Sequence, residues 1–592
     1  MTTATFVRLP GVAAFASLAL ALCASLAPTR AAERLDRGVV AFLQTNGQAY
    51  VGWRLLASDP TNVAFQVLRS AKPGEAAQAL NREPLTGSCN FVDTTAGGKP
   101  WLYAVAPVVG GKAMAASAPV EALSVAGSTA FRSLKLQGDY RFDKVGIADL
   151  DGDGALDFVI KQPQQVTDPG VWKKSEDTFK IEAYKSDGTF LWRRDLGWNI
   201  EQGVWWSPMV VYDFDGDGKA EVALKTAPTD KDFRNAAGRV LDGPEYCSVL
   251  DGLTGRELDR VDWPSRGNIA DWGDAVGNRA SRHLIGLAYL DGQHPSLIVL
   301  RGTYTLMLVD AYDLVGGKLK LRWRWSGDNE TPKVRGQGLH GMHADDVDGD
   351  GRDEIVLGAA VLDDDGKILW NLGLGHPDAA YVADILPDRT GLEIMYGIEP
   401  RQARNGFCLV EARTGKLIWG CEQPTTHIHS QGLFADIDPA NPGPEFYSGE
   451  KVGTDRWLYS ARDGKLLSRE DLGSLAPTPV FWDDTPFKAY VNRGKLVKYH
   501  GPQVGEIEGR VVAVGDFLGD WREEILTSVP GELRIYTTTI PATSRRVCAL
   551  QDRAYRTDVA LEAMGYLYPP QPGTVAPKSS VRCAPCGSSR SV

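Results

Sequence analysis

The chain has 592 residues, 43% of them hydrophobic and 23% charged, with a formal net charge of −11. A protein that tracks nucleic-acid phosphates carries a basic face, so this balance excludes that class. The length is far beyond what one small core requires, and 64 glycines with 16 tryptophans point to many tight turns and aromatic anchors, hence to an all-β chain of several domains or repeats.

The first 32 residues carry one early Arg, an apolar run at 12–26 and small residues at Ala31 and Ala32. That is the grammar of a bacterial signal peptide, so the mature chain is expected to start near Glu33 and to be secreted or periplasmic. Leu22 is too bulky for the position before a lipidated Cys23. No later stretch is long and apolar enough to span a bilayer. Of eight cysteines, seven remain beyond the signal, so at least one is unpaired within the chain. Cys408 and Cys421 flank CLVEARTGKLIWGC, which reads as two strands around an RTGK turn; a cross-strand bridge and two buried thiols both fit.

Residues 36–125 alternate apolar and polar in AYVGWRLL, VAFQVLRS and WLYAVAPVV, separated by polar turns. A small fibronectin-III-like β-sandwich at 33–130 is expected. From 131 to 570 an acidic loop recurs, as DLDGDGALDFVI, DFDGDGKAEVAL and DVDGDGRDEIVL. Its acids stand at i, i+2, i+4 and i+8: Asp149, Asp151, Asp153 and Asp157; Asp213, Asp215, Asp217 and Glu221; Asp346, Asp348, Asp350 and Glu354. Weaker copies place Asp384, Asp388 and Glu393, then Asp436, Asp438 and Glu445, then Asp516, Asp520 and Glu524. Degenerate copies near Tyr289 and Asp483 fill the remaining gaps in the spacing, giving about eight units.

Alternating carboxylates on a glycine-rich loop are what a hard cation needs, because Ca²⁺ takes six to eight oxygens in irregular geometry. An EF-hand is excluded, since its last acid comes later and helices flank it, whereas these loops run into strands. Six such ions would nearly cancel the formal charge of −11. Between the loops lie SDGTFLWRRDLG, DGLTGRELDRVDW, DDDGKILWNLGLG, EARTGKLIWGCEQ and SARDGKLLSREDLG, each a turn that closes one strand and opens another. Together these predict an eight-bladed β-propeller, followed by a disordered tail at 571–592 that contains CAPC.

The stretches IEAYKSDGTFLWRRDLGWNI, VVYDFDGDGKAEVALKTA, DWGDAVGNRASRHLIGLAYLDG, RGQGLHGMHADDVDGDG and GLGHPDAAYVADI, in this order over roughly 36–570, resemble the family-eleven polysaccharide lyases, the bacterial rhamnogalacturonan lyases. The resemblance implies a calcium-loaded eight-bladed propeller behind a β-sandwich, cutting a backbone of alternating rhamnose and galacturonate by β-elimination. It also implies a catalytic calcium held by His340, His376, Asp378 and Glu399. Imidazole beside carboxylate is unusual for calcium, which leaves a softer metal open.

For the catalytic pair, the resemblance matches Lys495 in VNRGKLVKYH, with Asn492 beside it as a substrate contact. The family's Arg is absent. His427, His429 or Gln431 of TTHIHSQG occupies its neighbourhood, with Arg401, as a catalytic group, or Arg404, as a substrate contact, available in another loop to supply the missing positive charge. A histidine is better poised than lysine as a base near neutral pH, and imidazoles at i and i+2 of an extended segment share a face. Glu182 matches a substrate-binding acid, whereas Leu567 stands where a polar contact belongs; Trp172, Trp205 and Trp206 are candidates for stacking on sugars or for the core.

The leading expectation is therefore an exported lyase acting as a monomer on an acidic polysaccharide. A non-catalytic calcium propeller that binds glycan or protein is the alternative, and a quinone-dependent dehydrogenase is disfavoured because its repeats need no acidic loops.

Overall fold

Ala64–Ser70 (AFQVLRS) mixes apolar and polar residues and Leu102–Val109 (LYAVAPVV) is almost wholly apolar, and these strands build one of two N-terminal sheets, with Gln78–Ala79, Lys112–Ala113 and Val120–Glu121 at its margins. The other orders Asn90–Asp93, Ala49–Gly52, Val40–Leu43 and Leu123–Ser124. Trp53, Phe65, Tyr103 and Val105 fill the core that the two sheets share. The computed structural model describes Met1 and residues 34–125, 127–164 and 172–572. The expected signal segment with Cys23, and the tail from 573 with Cys583 and Cys586, lie outside the described residues.

Eight four-stranded antiparallel sheets follow. Their first strands are Lys144–Ala148, Met209–Tyr212, His283–Ala288, Gly338–Asp345, Pro377–Ala383, Leu433–Ala435, Thr478–Val480 and Arg510–Gly515. First and second strands are buried on both faces, as in DFVIKQ and EVALKT, so they read as near-continuous apolar runs. Fourth strands such as FLWRRD are half exposed and alternate. The eighth sheet takes its outermost strand, Ala130–Lys135, from ahead of the first sheet, pairing it with Glu532–Thr537, so the two ends of the sheet series are tied together. The first strand of the eighth sheet also touches that of the first. The buried helix Arg553–Leu561 packs on the first strands of the first four sheets and of the eighth.

All eight acidic or degenerate loops, those at Tyr289 and Asp483 included, fall in the turn from first to second strand. The DG and TGK turns join third to fourth strands and have a packing role that their spacing did not disclose. The indole N–H of Trp192, Trp323, Trp370 and Trp419, each on the outermost strand of one sheet, donates to Gly252, Asp364, Ala412 and Ala461 carbonyls in the next sheet's turn, at 2.8–2.9 Å. The turn glycines Gly255, Gly366, Gly415 and Gly464 lie on those indoles at positive φ, and a Cβ on any of them would come within 2.7 Å of the ring. Gly415→Ala should therefore cost about 2–4 kcal/mol, from a left-handed alanine plus overpacking against Trp370. Denaturant unfolding reads this directly, with Lys416→Ala as the neutral neighbour.

Cys408 and Cys421 are both buried free thiols, as are Cys89, Cys247 and Cys548. Register places Cys408 opposite Gly420, so Cys421 falls beyond the cross-strand pair.

Candidate active site

In the three strict loops the acid at the first position folds the turn. Asp149 accepts backbone N–H groups of Gly152 and Gly154, both at 2.7 Å; Asp213 and Asp346 repeat this with Gly216 and Gly218, and with Gly349 and Gly351. The acid at i+8 opens the second strand and accepts the N–H just after the first Asp, as Glu221 does from Phe214 at 2.9 Å. Carboxylate oxygens then converge within 4.8 Å in three groups: Asp149, Asp151 and Asp157; Asp213, Asp215 and Glu221; Asp346, Asp348 and Glu354. The third-position acids Asp153, Asp217 and Asp350 stand outside these groups and hydrogen-bond backbone within the loop.

Burial, with neighbouring carboxylates adding to it, pushes Asp157 up to about 7, Glu221 to about 8 and Glu354 to about 9. Glu354 Oε1 is buried without a hydrogen-bond partner. Such oxygens fit a divalent cation, which supplies the missing charge and ligand contact.

The weaker loops diverge. Among the described residues none gathers three ligand atoms in this way. Asp388 is exposed and pairs with Arg462, and Asp520 is bound by Arg522 at 2.7 Å. In the same loop Arg54, reaching in from the N-terminal sheets, donates to the Phe517 carbonyl, close to Asp516 and Glu524. At the degenerate Asp483 the ammonium of Lys498 stands 3.0 Å away. Expected cation ligands thus meet basic side chains, Arg522 from the same loop and Arg54, Arg462 and Lys498 from other segments. The Asp436 and Glu445 pair is the exception: both are pushed up to about 7 by burial, and Asn441 donates to Glu445 at 2.6 Å. Asp384 and Glu393 keep the turn geometry, with Glu393 accepting from Ile385 and Leu386; Asp438 also lies in its expected turn.

At the opposite strand ends lies a second kind of cluster. His340 is the third residue of its first strand, His376 and Asp378 open the next, Glu399 follows the strand Glu393–Ile398, and His427 and His429 precede Leu433–Ala435. His340 Nε2 is 3.5 Å and His376 Nε2 3.1 Å from Asp378 Oδ1; His376 Nε2 is 3.6 Å from Glu399 Oε2. His427 Nε2 lies 2.9 Å from Glu399 Oε1, and His429 Nδ1 3.0 Å from Asp378 Oδ2. Four imidazoles thus converge on two carboxylates. Side-chain exposure rises from 0–3% at His340, His376 and Asp378 to 18%, 28% and 38% at Glu399, His429 and His427, so the cluster opens on the Glu399 side.

His376 Nδ1 faces the Gly338 carbonyl, which only accepts, so this nitrogen carries the proton. Nε2 of His376 faces Asp378 Oδ1. Burial, then the charge of His376, holds His340 well below the usual histidine range, so it stays neutral. Burial opposes ionisation of Asp378, but His376, His429 and His340 beside it hold its carboxyl well below the usual carboxylate range. Imidazole nitrogens facing carboxylate oxygens at these distances fit a cation between them, and the carbonyl behind His376 is the kind of outer partner that orients a metal ligand.

The walls of this cluster were not foreseen. Trp205 stacks on His340 at 4.4 Å, Tyr566 meets it edge-on at 4.7 Å, Tyr304 donates to or accepts from its Nε2 at 2.9 Å, and the Tyr568 hydroxyl donates to the Asp378 carbonyl at 2.8 Å. No motif marks these residues, and the two C-terminal tyrosines return from over 180 positions away. Trp205 and Trp206 are accordingly core residues rather than sugar platforms, whereas Trp172 is half-buried under Arg239. Near them Glu245 is shared by Lys225 at 2.7 Å, Arg266 at 2.8 Å and Arg301, a local excess of positive charge.

Other expected residues stand apart from the cluster's contacts. Glu182 is fully buried, with its oxygens taken by Tyr140, Tyr184, Gln162 and Arg193. Arg401 and Arg404 are exposed on the loop after Glu399. Lys495 is exposed in the turn after Asn492 and pairs in register with Glu506. That turn joins second to third strand, as the Glu399 loop does, so Lys495 lies at the same strand ends two sheets on.

Residues 135–578 match the family model described as rhamnogalacturonan lyase family 11, C-terminal domain, and residues 30–123 match the rhamnogalacturonan I lyases beta-sheet domain. The chain is 37% identical over 583 residues to rhamnogalacturonan endolyase YesW of Bacillus subtilis (strain 168), covering 91% of this chain and 90% of that protein. It is 35% identical over 588 residues to rhamnogalacturonan exolyase YesX of the same strain, covering 91% and 94%. The crystal structure of exotype YesX superposes with a TM-score of 0.83 at 34% identity, covering 92% of this chain and 96% of that one. The rhamnogalacturonan lyase PL11 of Bacillus licheniformis does so with 0.83 at 36%, covering 91% and 96%.

Proposed function

This chain belongs to rhamnogalacturonan lyase family 11 and is a polysaccharide lyase, and from that premise we propose that it cleaves rhamnogalacturonan-type pectin by cation-assisted β-elimination at galacturonate. The observation that carries the mechanism is the convergence of the His340, His376 and His429 rings on the buried Asp378 carboxylate at an open strand-end face. Lyase membership sets aside the binding-module and dehydrogenase readings.

His340, His376, Asp378 and Glu399 would hold the catalytic cation. When bound there, a divalent ion supplies Lewis-acid stabilisation to the uronate carboxylate, which is what makes the weakly acidic C5 proton removable. Lys495, exposed at the start of its strand and at the same strand ends as the cluster, is the proton acceptor; Asn492 beside it contacts substrate, and Arg401 and Arg404 offer guanidinium groups to neighbouring carboxylates. As the C5 proton passes to Lys495, the C5–H electrons form the C4–C5 double bond and the C4–O electron pair departs with the rhamnose oxygen, which takes up a proton from water. The positive excess around Glu245 suits an acidic chain.

Eight four-stranded sheets, closed by Ala130–Lys135 and plugged by the C-terminal helix, support an eight-bladed propeller at 131–570 behind a fibronectin-III-like sandwich at 33–130. Calcium in the three strict acidic loops stiffens that frame, and the signal-like first 32 residues speak for export of a monomer.

Rhamnogalacturonan mixed with the cation-loaded protein should develop the absorbance of an unsaturated uronate, and excess chelator should stop it; a flat trace from the folded, loaded protein would overturn the assignment. Lys495→Ala should lower kcat about 100-fold or more while leaving cation binding unchanged. Unaltered turnover would take the proton acceptor away from Lys495.

A further inference from the structure

Asp378 and Glu399 each turn one oxygen toward His340 and His376 and the other toward the 427–429 segment. Oδ1 of Asp378 faces His340 and His376, and its Oδ2 faces His429; Oε2 of Glu399 faces His376, and its Oε1 faces His427. Buried Ile428, bridged to Glu450, lies between the two exposed-side histidines, so both rings project to the cluster side. His427 Nε2 and His429 Nδ1 are buried atoms only 2.9 and 3.0 Å from carboxylate oxygens, yet neither makes a hydrogen bond, because an N–H in the ring plane would miss the oxygen. Separations of 2.9–3.6 Å are the edges of a coordination polyhedron with metal–ligand bonds of about 2.0–2.2 Å.

We infer that this chain holds two divalent cations side by side, His340 and His376 on one, His427 and His429 on the other, with Asp378 and Glu399 bridging both. Two imidazoles per ion select a borderline transition cation of the Zn²⁺, Co²⁺ or Ni²⁺ type over Ca²⁺, whose sites are built of oxygen. The Tyr304 hydroxyl, 2.9 Å from His340 Nε2, lies beside the first ion. Carboxylate-bridged ions sit about 3.5–4 Å apart. Two divalent charges against two carboxylates leave a net positive pair at the open side, a seat for the carboxylate of an acidic ligand. This rests on the proposed cation at His340 and His376, but its test reads binding rather than turnover.

The full chain is stripped with chelator, refilled with excess Ca²⁺ to occupy the oxygen-only loops, and titrated with Co²⁺ alone, reading bound Co²⁺ per chain and its visible ligand-field spectrum. Two tightly bound Co²⁺ with magnetic coupling are expected. His429→Ala and His427→Ala should each retain one, uncoupled, with affinity for the other weakened at least about 10-fold. One Co²⁺ in the unaltered protein, or two in both variants, overturns the proposal. So does loss of turnover in His429→Ala with both ions still bound, which would make His429 the proton acceptor. If His429→Ala does not fold, His427→Gln at the 38%-exposed position carries the same expectation. Two bound Co²⁺ in a protein that leaves rhamnogalacturonan intact would uphold the paired site and sink the proposed function.

Discussion

Asp378→Asn should abolish lyase turnover, lowering kcat/KM by about 10³-fold or more, in a protein that still folds. Asp378 is the most buried acid of the cluster and touches three of its four histidines. Asparagine keeps the shape and the Tyr568 contact, which goes to the backbone carbonyl, but removes the charge that draws a cation between the imidazoles. Removing one preorganised electrostatic group from a water-poor site commonly costs 10²–10³ in rate, and here a cation is lost with it. Stability should fall, because the fold holds this carboxyl well below the usual range and asparagine forfeits the ionised form it favours. Steady-state kinetics with a thermal melt on the same sample separates these outcomes. A variant with normal turnover would remove Asp378 from the reaction.

Chelation should lower Tm by about 10 °C or more near neutral pH. Three oxygen sites held at roughly 100 times their Kd contribute about 2.7 kcal/mol each, which in a large chain corresponds to a drop of that order. The loss should also depend on pH. Asp157, Glu221 and Glu354 have folded values near 7, 8 and 9, against ordinary values near 4, mainly because they are buried. Below pH 4 both states are protonated and the metal-free fold carries no penalty. As pH rises, the unfolded acids ionise while the folded ones do not, so stability falls until pH passes the folded values. The chelated protein should therefore melt at steadily lower temperature from about pH 5 to 8, and the Ca²⁺-loaded protein should change far less over that range. Identical transitions with and without chelator at pH 8 would take the cations out of the acidic loops.

Where the chemistry is local, it could be read from residues alone. Acids at i, i+2, i+4 and i+8 place their own turn, because the first Asp binds the loop amides and the last opens the next strand; hence all eight copies occupy the same turn of eight sheets. What the acids face is not local. Asp388 meets Arg462, and the Asp516 loop meets Arg54, 462 positions away in sequence, which nothing in DFLGDWREEILT announces, although the Arg522 that binds Asp520 stands in that same stretch. The indoles clamped on turn glycines were equally invisible, since donor and acceptor lie 41–60 residues apart.

The active-site cluster divides in the same way. GQGLH, GHPDA and GIEP supplied His340, His376, Asp378 and Glu399 through resemblance, and the fold brings all four together. His427 and His429 were expected as proton acceptors standing near these groups. Their rings face the second oxygens of the two carboxylates, because Ile428 between them is buried and sets both on one face. Glu182, expected on the substrate, is consumed by an internal network of two tyrosines, Gln162 and Arg193, partners that only the sheet register brings close.

Digestion of rhamnogalacturonan in ¹⁸O-labelled water, with products weighed by mass spectrometry before and after chelation, tests the central claim most directly. Cation-dependent elimination predicts unsaturated fragments that contain no solvent oxygen and cease to form when the cation is removed. Fragments carrying one labelled oxygen per cut, or cleavage that continues undiminished in chelator, would contradict it.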